Sequence, residues 1–294
     1  MSNRSPVVSR RFAALVGALL SSLALPVGIA SASPVVYSNL DVTNQMAAAS
    51  RPDSPGAFEI ETADDFILTK NTSIDHATFI GLLPDARSLS LITQVRLEIY
   101  RVFPKDSDTT RLPSVPTRVN SPSDVALADR SSTGTDLTFS TTTLSPRFVA
   151  LNSVQPGGIH PSPGQTTGGN GSVTGVEVQF DVDLLTPFLL PADHYFFIPQ
   201  VQLSDGTFYW LSASRPISGS GSTPFAPDLQ AWTRDARLDP DWLRIGTDIV
   251  GGTPAPTFNA AFALNGTVIP EPAPLALLAL GLVAACAVRG RRAR

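Results

Sequence analysis

Between Val176 and Leu184 every second side chain is apolar, and three of the four between them are Glu177, Asp181 and Asp183. A helix would scatter these residues around its axis. A strand puts Val176, Val178, Phe180, Val182 and Leu184 on one face and the acids on the other. Val95, Leu97 and Ile99 alternate with Arg96 and Glu98 in the same way, which predicts another strand with one apolar and one charged face. Further strand-like runs are Phe58–Leu68, Ile74–Leu83, Leu137–Leu144, His194–Leu203, Phe208–Ala213 and Phe258–Leu264, with turn clusters such as Ser204-Asp205-Gly206 and Pro254-Ala255-Pro256 between them. Proline, at 26 of 294 residues, disrupts helix interiors and fits turns and edge strands. The fold expected for residues 33–267 is therefore all-β, an antiparallel, jelly-roll-like β-sandwich. One interruption, at about 155–175, contains Pro156-Gly157-Gly158, Pro161, Pro163-Gly164 and Gly168-Gly169-Asn170-Gly171. It has too little apolar surface to offset ordering and reads as a surface loop.

The two ends have a different character. Residues 1–32 join Arg4, Arg10 and Arg11 to an apolar run from Phe12 to Leu25 and close on Ala30-Ser31-Ala32. That order of basic, apolar and small residues predicts a signal peptide, helical in its apolar part, with cleavage after Ala32. At the other end, Leu275 to Val288 contains no charge and is followed by Arg289, Arg291, Arg292 and Arg294. Fourteen helical residues reach about 21 Å, short of the roughly 30 Å hydrocarbon core. Extension back to Ala273 and snorkelling arginines bring residues 273–288 closer to a transmembrane helix. Basic residues stay on the cytoplasmic side, so everything before residue 270 is placed on the non-cytoplasmic side, in agreement with the signal peptide.

Ile269-Pro270-Glu271-Pro272-Ala273-Pro274 stands directly before this apolar run. With the helix and the tail at 289–294, residues 268–294 resemble the PEP-CTERM sorting signal of exported bacterial proteins. The resemblance implies recognition of Pro270, Glu271 and Pro272 by an exosortase-like membrane protease. It further implies anchoring in the inner membrane by the C-terminal helix before processing, and then loss of the tail with release to the cell surface or the extracellular space. Pro274 stands where that pattern is expected to carry Thr or Ser. A loose second resemblance, carried by Asp64-Asp65-Phe66, Ser73-Ile74, Phe79-Ile80-Gly81 and the strand ending at Tyr100, is to β-sandwich modules of bacterial surface proteins. It implies fold class and supplies no active site.

Of 21 basic and 25 acidic residues, three arginines belong to residues 1–32, and four arginines with Glu271 belong to the tail. Residues 33–270 thus carry 14 basic and 24 acidic residues, a balance that repels nucleic-acid phosphate. The one cysteine, Cys286, excludes an internal disulfide framework and thiolate metal clusters. Nucleophilic hydrolysis lacks a Gly-x-Ser-x-Gly turn, and His76, His160 and His194 are too dispersed for a zinc motif. The glycine cluster at 168–171 lacks the lysine of a phosphate-cradling loop. No catalytic residue and no cofactor are expected.

Acidic pairs are frequent: Asp64/Asp65, Asp106/Asp108, Asp181/Asp183 and Asp239/Asp241. Such oxygens suit calcium, which takes six to eight donors, although no EF-hand pattern is present. They also suit turns and caps. Trp232 and Trp242 stand close to Asp239 and Asp241, a combination that a sugar-binding face uses for stacking and hydroxyl hydrogen bonds. A β core uses tryptophan equally, and core is the favoured placement for two of the three. Three functions follow. The first is a non-enzymatic exported surface or extracellular-matrix-associated protein. The second is a module binding extracellular polysaccharide through Trp232 and Trp242. The third is an Asp-dependent glycoside hydrolase, which needs two aspartates distant in sequence to converge in a cleft.

Overall fold

The computed structural model describes residues 33–85, 88–155, 166–214, 218–219 and 229–270. The first strands are β1 (Val35–Asn39), β2 (Val42–Ala49), β3 (Ile60–Leu68), β4 (Thr72–Pro84), β5 (Ile92–Arg101) and β6 (Ala128–Ser131). Then come β7 (Leu137–Ala150), β8 (Ser153–Val154), β9 (Val173–Leu190), β10 (Asp193–Leu203) and β11 (Tyr209–Ala213). The chain ends in β12 (Ser218–Gly219), β13 (Trp232–Asp235), β14 (Leu243–Arg244), β15 (Asn259–Ala260) and β16 (Phe262–Val268).

These strands form two sheets. The larger runs β12-β1-β16-β4-β11-β2-β8, with β15 on β11, β9 on β4 and β7 on β9. The smaller runs β14-β13-β3-β10-β5-β6. Every pairing is antiparallel except β2 with β8, which is parallel. The molecule is thus mostly β with two packed sheets, consistent with the expected all-β sandwich. The predicted terminal helices lie outside the described residues, as do residues 156–165 of the predicted loop. Its far end, from Val173, is already strand β9.

The sheets meet on an aromatic layer. Phe262 of the larger sheet stacks on Tyr37 at 4.4 Å and on Phe197 of the smaller sheet at 5.1 Å, with Trp210 edge-on at 5.6 Å. Phe79 and Phe180 stack at 4.7 Å. The alternation in β9 works as the pattern demands: Val178, Phe180, Val182 and Leu184 are buried in this layer. Such large rings each remove much apolar area from water, the dominant favourable term in folding.

The smaller sheet departs from the simple pattern. Its second face is largely covered, because residues 102–127 and the chain around Trp242 lie across it. Ser123 and Leu127 donate backbone hydrogen bonds to Arg101 and Ile99 at 2.8 Å, and Val102 and Ala126 pack on Ala63, Tyr100, Phe196 and Ile198. The charged side of β5 is therefore inside: Glu98 is buried, where the alternation implied a residue on an open face.

Candidate functional site

Period-two geometry gathers one residue set on this covered face. The β3–β13 register sets Arg234 opposite Glu61. The β10–β5 register sets Phe196, Ile198 and Gln200 opposite Tyr100, Glu98 and Arg96. Arg234 donates through Nε to Glu61, and through Nη2 to Glu61 Oε1 at 3.1 Å and to the Tyr100 hydroxyl at 2.9 Å. That hydroxyl donates to Glu61 Oε1 at 2.8 Å. The guanidinium plane lies 4.3 Å from the Trp242 ring centroid and 5.3 Å from that of Tyr100, so cation–π contact adds to the ion pair. At the rim, Arg234 Nη1 reaches Asp239 Oδ1 at 2.7 Å.

Arg96 holds the second half. Its Nη2 lies 2.7 Å from Glu98 Oε1 and its Nη1 lies 3.3 Å from Glu59 Oε1, which also accepts from Gln200 Nε2 at 2.9 Å. Arg96 and Arg234 thus pair with Glu59, Glu61 and Glu98 on the covered face and with Asp129 and Asp239 at its rim. Burial first, and the neighbouring Glu61 second, push the Glu98 carboxyl up to about 9. Glu59 rises for the same two reasons. For Arg234, burial works against the charge, but Glu61 outweighs it and raises the pKa above the ordinary arginine value. Burial and Glu61 raise the Tyr100 hydroxyl, so it stays a donor.

A carboxyl whose pKa is raised by burial is the kind of group that proton-transfer chemistry uses. Here the Glu98 and Glu61 side chains are 3% and 5% exposed, so the pair is enclosed by protein. Its readable consequence is in stability. Because the folded-state pKa of Glu98 lies above the ordinary value near 4.5, folding binds a proton between that value and about 9. The contribution of this group is full below the ordinary value and is lost as pH rises toward 9. Glu98→Gln, which keeps the neutral shape, is expected to gain stability over the parent by on the order of 1 kcal/mol per pH unit across that window. Urea midpoints at pH 5 and pH 8.5 check this; a parent-to-variant difference that is the same at both pH values would sink it.

A second network fastens the covering segment. Asp241 accepts from Arg111 Nη1 and Nη2 at 3.1 and 2.6 Å and from the Ser114 amide and hydroxyl at 2.8 and 2.9 Å. Burial opposes its charge, but these donors, Arg111 foremost, hold its carboxyl below the usual carboxylate range. The Trp242 indole donates to the Ser123 carbonyl at 3.2 Å.

These positions correct the expected sugar platform. Trp232 and Trp242 are each 1% exposed, and Arg234 covers the face of Trp242, so neither ring is open to stacking. Asp241 is buried in its arginine cradle, and Asp239, exposed at the rim, pairs with Arg234. Trp210 is buried as well, its indole donating to the Ala261 carbonyl at 2.9 Å. Asp124 and Asp241, distant in sequence, do converge, but Arg111 stands 3.7 Å from one and 2.6 Å from the other, and occupies the place a substrate would need.

The remaining acids have local partners. Asp65 Oδ2 lies 2.6 Å from His194 Nε2, and Asp64 accepts from the Ala260 amide at 2.8 Å. Asp183 lies 2.9 Å from His76, and Asp181 accepts from Thr78 at 3.1 Å. Asp106 pairs with Arg101, and Asp108 accepts from Thr110 at 2.7 Å. Among the described residues, no group of three or more His, Cys, Asp or Glu is placed to hold a metal ion, calcium included. A surface groove of about 380 Å³ is lined by Asp85, Pro146, Arg147, Thr174 and Gly175, none of them a residue singled out from sequence.

Of the sorting and processing residues, Pro270 is described and exposed. Ala30, Ala32, His160, Glu271, Pro272, Arg289, Arg291, Arg292 and Arg294 lie outside the described residues. Among those described, no helix is long and apolar enough to cross a membrane. The buried Glu61–Arg234–Tyr100–Glu98 cluster escaped sequence reasoning. Its local traces are Arg96 and Glu98, two apart in β5, and Glu59 and Glu61, two apart at the start of β3. No family model, curated protein or solved structure matches this chain.

Proposed function

We propose that this protein is an exported, non-enzymatic surface or extracellular-matrix-associated protein. In this reading a jelly-roll-like sandwich is delivered by the signal peptide and sorted by an exosortase-type membrane protease at Pro270-Glu271-Pro272. Before processing, the C-terminal helix holds it in the inner membrane. Afterwards it is at the cell surface or extracellular.

The observation that supports this reading is the junction at the end of the fold. β16 ends at Val268, and Thr267 to Pro270 are exposed, so the Pro-Glu-Pro motif begins where the last strand stops. A protease needs extended, accessible backbone, and a motif inside the sheet would be hydrogen-bonded and closed to it. The polar residues described above serve internal pairing, which suits a scaffold. The polysaccharide-binding and hydrolase alternatives gain nothing from the buried tryptophans and the arginine-filled Asp124–Asp241 pair.

Intact mass and terminal peptides of the protein from its native cells, taken by envelope fraction, test this. The expected product begins near Ser33 and lacks everything after about Pro272. Recovery of Leu275 to Arg294 still attached, in the membrane pellet, would mean a permanent C-terminal anchor and would overturn the sorting assignment.

A further inference from the structure

We propose that the outer edge of β7 pairs with the same edge of a second copy of this chain, joining two larger sheets into one. β7 hydrogen-bonds β9 along one side, and among the described residues no strand pairs with its other side. Edge strands present unpaired N–H and C=O groups, and proteins blunt them with charge, proline or bulges. In β7 those devices stand only in the second half. Register shifts fall between Thr143 and Ser145 and between Ser145 and Phe148, around Pro146 and Arg147. The first half, Leu137-Thr138-Phe139-Ser140-Thr141-Thr142-Thr143, holds no charge, proline or glycine and runs in unbroken register against β9. Its Thr, Phe and Leu content suits a strand.

Charge and register point to the occupant. Residues 33–270 are strongly acidic, and β9 carries Glu177, Asp181 and Asp183 beside this edge, so an acidic partner strand would be repelled. A copy of β7 brings no charge to the contact. An antiparallel pairing about a two-fold axis at Ser140 sets Thr138 against Thr142, Phe139 against Thr141 and Leu137 against Thr143. Each of these pairs keeps its two side chains on one face of the joined sheet. Thr138, Ser140 and Thr142 are exposed, and the half-buried Phe139, 6.5 Å from Phe180, gains a β-branched neighbour of the kind that stabilises cross-strand contacts. An isologous two-fold contact closes at two copies.

The test uses the full-length chain carrying Cys286→Ser, in mild detergent, with mass read by light scattering and the fold by far-UV circular dichroism. The parent is expected at twice the chain mass, and Ser140→Glu, which sets two anions face to face with Asp181 beside each of them, is expected at one chain mass with an unchanged spectrum. Ser140→Cys is expected to oxidise to a dimer linked through residue 140, because directly opposed antiparallel Cα atoms lie about 4.5–5.5 Å apart, within disulfide reach. Thr138→Cys alone is not expected to link, whereas Thr138→Cys with Thr142→Cys is. A monomer at all concentrations up to tens of micromolar overturns the proposal. So does a dimer that ignores Ser140→Glu and yields no peptide linked at residue 140, since that dimer uses another surface.

Discussion

Arg234→Met is expected to lower stability by about 3–5 kcal/mol, the range for removing one partner of a buried ion pair. Methionine keeps most of the aliphatic stem and volume, so packing against Trp242 is largely conserved. What is lost is a guanidinium that donates twice to Glu61, together with the donor to Tyr100. Arg96 stays paired with Glu59 and Glu98, while Glu61 loses its Arg234 partner. For a domain of this size the loss corresponds to a drop in melting temperature of roughly 6–20 °C. Adding Glu61→Leu should restore most of it, because the charge that needed compensation goes too. A double-mutant cycle by urea denaturation measures this. Additive effects of the two substitutions would show that the pair is not the source of the loss.

Phe262→Ala is the second large effect, at about 3–5 kcal/mol. Phe262 is fully buried where the two sheets meet and touches rings from both: Tyr37 and Trp210 on its own sheet, Phe66 and Phe197 on the other. Alanine removes the transfer energy of the ring and leaves a cavity that rigid strands on both sides cannot close. Phe262→Leu retains most of the volume and should cost clearly less. Equal losses for alanine and leucine in thermal or urea unfolding would mean that this layer repacks freely.

The strands with clean alternation were legible in the sequence. Val176–Leu184, Val95–Ile99 and His194–Leu203 all lie within observed strands, and burial follows the predicted face in β9. β1 and β2 were not. Met46 to Ala49 is a continuous buried run without a polar alternate, and β13 has only four residues, three of them polar. The charged cluster was hidden for another reason. Alternation says which side chains share a face; it does not say what lies over that face. Glu98 reads as a solvent residue until residues 102–127, which look like an ordinary Pro- and Ser-containing loop, are known to cross it. The pairing of Glu61 with Arg234 spans 173 residues and depends on the β3–β13 register, which no local pattern encodes. The same gap left Trp232 and Trp242 open between core and sugar face. Tryptophan near aspartate has one composition whether the ring faces a sugar or an arginine.

β1 and β16 lie side by side and antiparallel, with the Ser33 carbonyl accepting from Asn265 Nδ2 at 2.8 Å and the Pro34 carbonyl accepting from the Gly266 amide at 3.0 Å. The domain therefore enters and leaves its fold at one corner. Mechanically, tension applied between those two points would meet the ladder rung by rung, as a zip is opened, and so at low force. Tension carried by one of them alone, with the far side held elsewhere, would have to slide strands past each other and break many rungs together. A sandwich wired this way is weak across its own doorway and strong along its length, so its resistance to pulling is set by where it is held.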